Sequence, residues 1–461
     1  MQLISGCVMS ETQELVEFVA NLSFDDLPNE VVERCQDLLL DWLGSALAGR
    51  YLHPTSIFQR LASDITSGDG SSDMFCQSRA GSAFGAAMTN AAAGNIVEQN
   101  DLHNSSILHP GAVVFPVVLA LAQAQGNSGR EFITAAVAGY EAGVRIGEFL
   151  GRSHYRFWHT TATVGTLAAG VAAGRLMNLD SERMAQTIGN AGTQAAGLWA
   201  FIHDDADSRQ LHTAKAASNG LISASLARSG LKGAKDILVG KQGLGQAMSE
   251  DPAPKCLSDS LGDRWAVLET SLKLHASCRH THPAADAFMS LVVSEGLTLG
   301  NISHVTVGVS QAALEVLNQS VSPDTISEAK FSMGIVLGLL MRYGSASVDT
   351  FTLSSIRDSQ VCDIARRVSM VFDPEIDSAY PVRWIGKALV ITKSGRHLEK
   401  RLDYPRGDPQ NPLSEDERLT KFRQLASYGG IGTPESVEGL ISWAGSLSKL
   451  KRVTSLRSWL A

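Results

Sequence analysis

Cysteine is scarce in this chain of 461 residues, and its six cysteines are scattered. They stand at Cys7, Cys35, Cys76, Cys256, Cys278 and Cys362, and no two of them have CxxC spacing. A disulfide-stabilised scaffold needs a denser set, and an iron–sulfur cluster needs several cysteines close together. The sequence therefore excludes both classes, and we expect reduced thiols in a reducing compartment.

Positive charge is also in short supply. Lys and Arg number 39 against 47 Asp and Glu, which gives a net charge of −8. A chain with this balance lacks the basic excess that binds nucleic acid or an anionic membrane surface. An anionic small molecule, by contrast, needs only a few local cations.

Long apolar runs are missing as well. No stretch reaches the ~20 consecutive apolar residues that a membrane span requires. The first residues (MQLISGCVMSETQE) lack the charged and apolar regions of a secretion signal. We expect an intracellular protein without membrane attachment, cytoplasmic by default, with a mitochondrial location left open.

Material for a folded core is ample, since 44% of the residues are hydrophobic. The first two thirds of the chain are rich in Ala and Gly at helical spacing, which favours closely packed helices, 161–177 and 181–199 among them. Beyond residue 265, apolar and polar residues alternate over 302–311, as in a β-strand. Residues 383–392 and 397–402 have the pattern of the two strands of a β-hairpin. We predict a mainly α protein: a large all-helical domain (1–267, completed by 404–461) with an inserted, smaller α+β domain (268–403).

One loop between apolar helices concentrates acid–base side chains. Residues 98–111 hold two acids, Glu98 and Asp101, and two imidazoles, His103 and His109. A loop at the end of a helical bundle is a common place for a pocket. The alternative is a solvated turn whose side chains cap the neighbouring helices.

Two helix starts carry further candidates. His159 follows an aromatic pair and precedes a helix, whose field would lower its pKa and attract anions. Arg209 and His212 begin another Ala-rich helix, where Arg suits forked binding of a carboxylate. The alternatives are a structural histidine in the first case and surface charge in the second.

A fourth polar segment spans residues 273–283 and begins with Lys273. Cys278, His280 and His282 alternate there, but the set lacks a fourth ligand at zinc spacing. Nothing in the sequence points to an activated thiolate at Cys278. We therefore expect no metal site.

Several longer motifs are identified, by their order and spacing, as typical of one family. They are LLLDWLGSALAG (38–49), the loop ending in LHPG at 111, FWHTTATVGTLAAGVAAGRL (157–176), QLHTAKAASNG (210–220), LKLHASCRHTHPAADA (272–287), EAKFS (328–332) and GDPQNPLSEDERLTKF (407–422). Over nearly its whole length the chain resembles the MmgE/PrpD family, which includes 2-methylcitrate dehydratase, cis-aconitate decarboxylase and iminodisuccinate epimerase. The resemblance implies that the α+β domain is a lid over a pocket, that the protein is a homodimer, and that it needs no metal or organic cofactor.

The resemblance also implies which residues act. It places the acidic positions of the loop on Glu98 and Asp101, the histidines on His109 and His159, and the cations on Arg209 and Lys273. We add His103, His212 and His282 as candidate substrate contacts. The chain departs from the family pattern where Glu98 and Asn100 replace Asp, Leu102 replaces Thr, Arg209 replaces Lys, and Gly334-Ile335 replace Pro and Tyr.

The resemblance, taken with these residues, implies a cofactor-independent lyase acting on a citrate-like di- or tricarboxylate. Negative charge that develops beside a carboxylate needs fixed cations, here Lys273 and Arg209. His109 and His159 would exchange protons, with Glu98 or Asp101 orienting one imidazole. Dehydration of a 2-methylcitrate or alkylcitrate is the leading hypothesis. Decarboxylation of a cis-aconitate-like acid, epimerisation of an iminodisuccinate-like acid, and a catalytically silent binding homologue are the alternatives.

Overall fold

The computed structural model describes residues 9–66, 70–204 and 206–460. The mainly α fold class is confirmed, since helix accounts for 57% of the structure and strand for 9%. Cys7 lies outside the described residues, and the other five cysteines are free thiols. Within the described ranges, no helix is both long and apolar enough to cross a bilayer.

The described residues before 271 form a helical assembly around one buried helix. Its helices are α1 (Glu11–Asn21), α2 (Asn29–Gly49), α3 (Thr55–Ile65), α4 (Ala83–Ile96), α5 (Gly111–Gln125), α6 (Gly129–Tyr155), α7 (Thr160–Leu176), α8 (Ser181–Gly192), α9 (Ser208–Arg228), α10 (Leu244–Met248) and α11 (Ala266–Glu269). Helix α7 packs against α5, α6, α8 and α9. Small residues make this possible: a Cβ on Gly220 of α9 would collide with the backbone of Gly170 in α7.

Two pairs of very short strands and one larger sheet complete the framework. The short strands are β1 (Ser72–Asp73), β2 (Ala80–Gly81), β3 (Leu102–His103) and β4 (Thr270–Ser271), and the sheet is built from β5 (Ile302–Val309), β6 (Val368–Phe372), β7 (Gly386–Thr392) and β8 (His397–Leu402). The sheet order is β6-β5-β7-β8, with β5 parallel to β6 and the other neighbours antiparallel. The predicted strand and hairpin are therefore confirmed.

Shorter helices surround the sheet, and two helices close the chain. The first group is α12 (His282–Ser294), α13 (Gln311–Val316), α14 (Ile326–Lys330), α15 (Met333–Tyr343), α16 (Leu353–Ile356), α17 (Ser359–Ala365) and α18 (Pro374–Ala379), and the last two are α19 (Glu415–Tyr428) and α20 (Pro434–Gly445). Helices α19 and α20 pack on α2, near the start of the chain. The buried apolar residues form two main clusters, one drawn mostly from residues 15–272 and 413–460, the other mostly from 276–390.

The chain passes between the two clusters at adjacent points. The backbone N–H of Leu272 donates to the carbonyl of Gly407 over 2.9 Å. The Ser271 hydroxyl donates to the Asp408 carboxylate over 2.6 Å, and Arg279 also contacts that carboxylate. Strand β4 pairs with β3, which lies inside the 98–111 loop. The two connections between the clusters, at residues 271–272 and 407–408, are therefore in contact, and the 98–111 loop pairs with the first of them.

Candidate active site

A small enclosed cavity lies where the two clusters meet. Glu98, His109, His159 and Arg209 line it from one side, and residues 278–280, 331 and 384 line it from the other. Its volume is about 20 Å³, enough for about one water molecule. The structure thus brings four of the predicted residues to one cavity, in a closed arrangement.

A buried ion cluster borders this cavity: Glu98 and Arg209 line it, and Lys273 lies behind Glu98. Glu98 follows the end of α4 with a left-handed backbone (φ 61°), which turns its side chain towards the interior. Its carboxylate contacts the Arg209 guanidinium, and the Lys273 Nζ donates to Glu98 Oε2 over 3.2 Å. Burial lowers the pKa of Arg209 to about 10 and holds that of Lys273 well below its usual range. A non-glycine residue in this conformation is strained, and such strain is concentrated at functional sites.

A third cation, Lys330, extends the cluster and was missed in the sequence. It ends α14 with only 6% of its surface exposed, and its Nζ donates to the Val97 carbonyl over 2.8 Å. Burial, with Lys273 and Arg209 close by, lowers its pKa to about 7. The sequence offered only its place in the EAKFS motif, because a lysine at a helix end is usually exposed.

His109 is held with one ring nitrogen free. Its Nδ1 lies 2.5 Å from the Asp101 main-chain carbonyl, to which it must donate, and its backbone N–H donates to Thr161 Oγ1 over 3.2 Å. This tautomer leaves Nε2 unprotonated in the cavity wall. Burial, with Lys273 nearby, lowers the pKa of His109 to about 3. The imidazole of the free site is therefore neutral, and Nε2 is its open acceptor position.

The Asp101 side chain has a different task from the one predicted. Its carboxyl accepts from the Tyr140 hydroxyl over 2.6 Å and from the Gly111 backbone N–H over 3.2 Å, so it caps the start of α5. Burial raises its pKa to about 7. Asp101 orients His109 through its main-chain carbonyl, whereas a carboxylate–imidazole pair was expected.

His159 lies directly ahead of α7 and contacts a second histidine. The Nδ1 atoms of His159 and His212 are 3.0 Å apart, so one of them donates to the other. The His159 ring also packs on Trp199, with ring centres 4.9 Å apart. Burial is the main cause that holds the pKa of His159 well below its usual range, followed by the neighbouring His212. The predicted neutral imidazole agrees with this direction, although burial causes it and not the helix field.

Two predicted substrate contacts lie elsewhere. His103 Nδ1 contacts Ser106 Oγ over 3.0 Å, and its Nε2 contacts Glu269 over 3.3 Å. His282 is fully buried, with its Nε2 3.3 Å from the Ser277 carbonyl. Neither residue lines the cavity. His212 stands behind His159 and reaches the cavity only through it.

His103, Glu148 and Glu269 are the one set of potential metal ligands that lie close enough together in the described ranges. The Arg264 guanidinium donates to both carboxylates, over 2.6 Å to Glu148 and 2.7 Å to Glu269. The arginine therefore supplies the positive charge that balances these acids. These side chains form an ion network that stabilises the 98–111 loop through His103.

The fold and site together bring neutral buried imidazoles beside buried Arg and Lys side chains, and comparison with known proteins identifies the family. The MmgE/PrpD N-terminal domain matches residues 13–257, and the MmgE/PrpD C-terminal domain matches residues 275–439. The chain belongs to the MmgE/PrpD family. This confirms the family assignment made from the motifs.

Named relatives resemble the chain over nearly its full length. A cis-aconitate decarboxylase-like protein, oryM, of Aspergillus oryzae is 28% identical and covers 90% of each chain. The cis-aconitate decarboxylase of Aspergillus terreus is 27% identical over 96% of this chain and 94% of its own. The human cis-aconitate decarboxylase is 26% identical over 98% and 94%. Decarboxylases are lyases, which agrees with the predicted enzyme class.

Proposed function

We propose that the protein is a decarboxylase, a lyase that releases CO₂ from a tricarboxylic acid of the cis-aconitate type. The relatives named above support the reaction. The observation that carries the substrate class is the ion cluster. Arg209 and Lys273 both contact a single buried carboxylate, Glu98, and the Nζ of Lys330 donates to the adjoining Val97 carbonyl. Such an excess of cationic groups favours an anion with several carboxylates.

The chemistry needs one bond cleavage and one proton transfer. The bond between the departing carboxylate and its carbon breaks, and CO₂ leaves without the electron pair. That pair stays on the carbon skeleton, conjugated with the carbon–carbon double bond and a retained carboxylate, until one proton arrives. A trianion and a proton thus yield a dianion and CO₂. Arg209 and Lys273 stabilise the retained carboxylate as it takes up charge.

The proton comes from a histidine that charges only when the substrate is bound. In the free site, Lys273 and burial keep His109 neutral. A bound trianion reverses that field and favours the protonated imidazole, since a nearby opposite charge raises a histidine pKa. His109 Nε2 then acts as the general acid. The Nδ1 of His159 is hydrogen-bonded to His212, so its Nε2 provides a second position for proton exchange with the substrate.

Substrate entry requires the site to open, because a six-carbon acid is far larger than the enclosed cavity. The short 3₁₀ helix Trp199–His203 packs on His159 and lies beside two open grooves, each of which shares lining residues with the cavity. These grooves measure about 690 and 600 Å³, and both reach Ile202 and His203. Displacement of this helix would join them to the cavity.

Dehydration is a second candidate, favoured by one observation. A neutral His109 with a free Nε2 is suited to remove a proton beside a carboxylate, which is the first step in losing water from a 2-methylcitrate-type acid. The same base would serve epimerisation of an iminodisuccinate-like acid.

The test is product analysis on the purified full chain in D₂O. Cis-aconitate, 2-methylcitrate and iminodisuccinate are supplied separately, and the products are followed by NMR and CO₂ release. We expect CO₂ and a singly deuterated unsaturated dicarboxylate from cis-aconitate alone. Water loss from 2-methylcitrate without CO₂ would favour dehydration, deuterium exchange in iminodisuccinate would favour epimerisation, and binding without turnover would favour a silent homologue.

Two controls belong to the same experiment. An Arg209→Met variant should lose turnover, since it removes a carboxylate-binding cation. Turnover should survive exhaustive chelation, and stoichiometric zinc or iron in active protein would contradict a cofactor-independent reaction. We also expect a cytoplasmic homodimer, which sedimentation and cell fractionation would test.

A further inference from the structure

An aromatic wall without net charge, formed by four rings, also lines the cavity. The rings of Tyr155 and Trp199 are 4.9 Å apart, and those of His280 and Trp384 are 4.8 Å apart. All four side chains line the cavity. Burial lowers the pKa of His280 to about 3, so its ring stays neutral. The cavity therefore has one cationic side and one neutral, apolar side.

Two polar atoms in this wall have no partner. His280 Nε2 and Trp199 Nε1 are buried and make no hydrogen bond within the described part of the chain. His280 is only 6% exposed. An unsatisfied buried donor or acceptor costs about 1–3 kcal/mol, so such atoms at a cavity indicate a missing ligand group.

Arg279 is the charged residue closest in sequence to this wall, and its charge is already balanced. Its guanidinium contacts the buried Asp408 carboxylate, and its Nη1 lies 3.4 Å from His282 Nδ1. Arg279 also lines the cavity, and its Nε has no hydrogen-bond partner within the described residues, but the fully buried Asp408 carboxylate balances the charge of its guanidinium. A ligand group placed against His280 and Trp199 therefore meets unpartnered ring nitrogens but no unbalanced positive charge.

We propose that His280 and Trp199 form the subsite for the carboxylate that departs as CO₂. This inference rests on the proposed decarboxylation. The departing group changes from an anion to a neutral molecule, so a salt bridge there would stabilise the bound substrate more than the transition state. A dry, uncharged wall avoids that effect and favours loss of the charge. Arg209 and Lys273 hold the carboxylates that remain.

This division of the cavity predicts that a change at His280 weakens the binding of tricarboxylates but not of dicarboxylates. His280 touches only the departing carboxylate, and a dicarboxylate product lacks that group. The two probes are tricarballylate, a saturated and unreactive tricarboxylate, and methylenesuccinate, a dicarboxylate. His280→Phe should weaken tricarballylate binding about tenfold, the effect of losing a hydrogen bond to a charged group, and should leave methylenesuccinate binding unchanged.

Kinetics give an independent readout. His280→Phe should raise KM for cis-aconitate while kcat stays equal or rises, because the lost contact belongs to the bound ground state. His280→Gln keeps a donor and should retain most of the affinity. His275→Gln is the matched control, since His275 is a buried neighbour paired with Asp286 and does not line the cavity.

The outcomes separate the two proposals. If the wild-type chain releases no CO₂ from cis-aconitate, the proposed function fails, and this subsite fails with it. If it does release CO₂ but His280→Phe weakens both probes equally, or neither, the subsite alone is overturned. Should the phenylalanine variant not fold, ¹⁵N NMR of the wild-type histidines decides: His280 Nε2 must shift with tricarballylate and not with methylenesuccinate.

Discussion

Single side chains decide whether this cavity performs acid–base chemistry, and His159 offers a direct test. His159→Ala should lower kcat by on the order of 10²-fold, the usual loss for a general acid–base group. Because His159 is only 2% exposed, some loss of Tm should accompany it.

The matched control for His159 is His154→Ala. His154 is equally buried and bonds to Thr163 Oγ1 over 2.8 Å, but it does not line the cavity. That variant should lose Tm and keep its kcat. A His159→Ala protein with normal turnover would leave His109 as the sole candidate for proton exchange.

Glu98 balances the cations of the ion cluster, and its removal should separate stability from affinity. Glu98→Gln leaves Arg209 and Lys273 without their counter-ion, so the free protein should unfold at a lower temperature. The same change leaves more positive charge for a ligand, so tricarballylate should bind about tenfold more tightly. Calorimetric titration and thermal unfolding measure the two effects.

Glu141→Gln controls for the loss of a buried charge as such. Glu141 is a fully buried acid whose Oε2 accepts from Arg145 Nε over 3.2 Å, away from the cavity. This variant should have a lower Tm and an unchanged affinity for tricarballylate. Unchanged affinity in Glu98→Gln as well would mean that the cluster does not face the ligand.

Residue types and motif spacing were enough to find part of the site. Glu98, His109, His159 and Arg209 were predicted from the family resemblance, and all four line the cavity. His103 and His109 belong to the same loop, and only the tertiary fold turns one towards Arg264 and the other towards the cavity. His280 and Trp199 were not predicted as contacts, because no local pattern reveals which buried polar atom lacks a partner.

Among the elements, helix α5 begins with an unusual cap. The Asp101 carboxyl that accepts from its first backbone N–H has a pKa of about 7, against an ordinary value of 3.8. The folded chain therefore binds a proton between about pH 4 and pH 7 that the unfolded chain has released. The contribution of Asp101 to stability falls as pH rises through this window, by up to about 1.4 kcal/mol per pH unit.

An Asp101→Asn variant removes this titration. We expect the Tm of the variant minus the Tm of the wild type to increase from pH 5 to pH 8, because only the wild type bears the cost of the buried charge. Thermal unfolding of both proteins over this range provides the measurement. A difference that stays flat would show that Asp101 titrates normally in the folded chain.

Element boundaries were predictable where local signals were strong. The helix expected over 161–177 is observed at Thr160–Leu176, and the expected hairpin is observed as Gly386–Thr392 and His397–Leu402. The helix expected over 181–199 ends at Gly192 instead. The backbone N–H of His159 donates to the Gly197 carbonyl over 3.0 Å, and this tertiary contact competes with continued helix.

At the scale of the whole molecule, Gly407 determines how closely the chain at residues 407–408 approaches the chain at residues 271–272. It has φ 90°, and a Cβ there would collide with the Leu272 carbonyl. Gly407→Ala should therefore lower the Tm strongly and reduce turnover, since β4 and the site loop shift with Leu272.

Gly395 provides the control for this substitution. It also has a positive φ (84°), but a Cβ there would meet no atom within 4 Å in the described structure. Gly395→Ala should cost only the backbone strain of roughly 1–2 kcal/mol. Equal losses of Tm in the two variants would mean that the close approach at Gly407 is unimportant.

The pairing of Leu272 with Gly407 has an evolutionary consequence. A segment whose two ends lie side by side can be acquired by recombination at one point of a host chain, because the host chain remains contiguous around the junction. Natural exchange of the segment between members of the family would bring a new set of contacts to the cavity in a single genetic event. The side chains contributed by residues 1–267, Tyr155 and Trp199 among them, would keep their places, while His280 and Trp384 would change together.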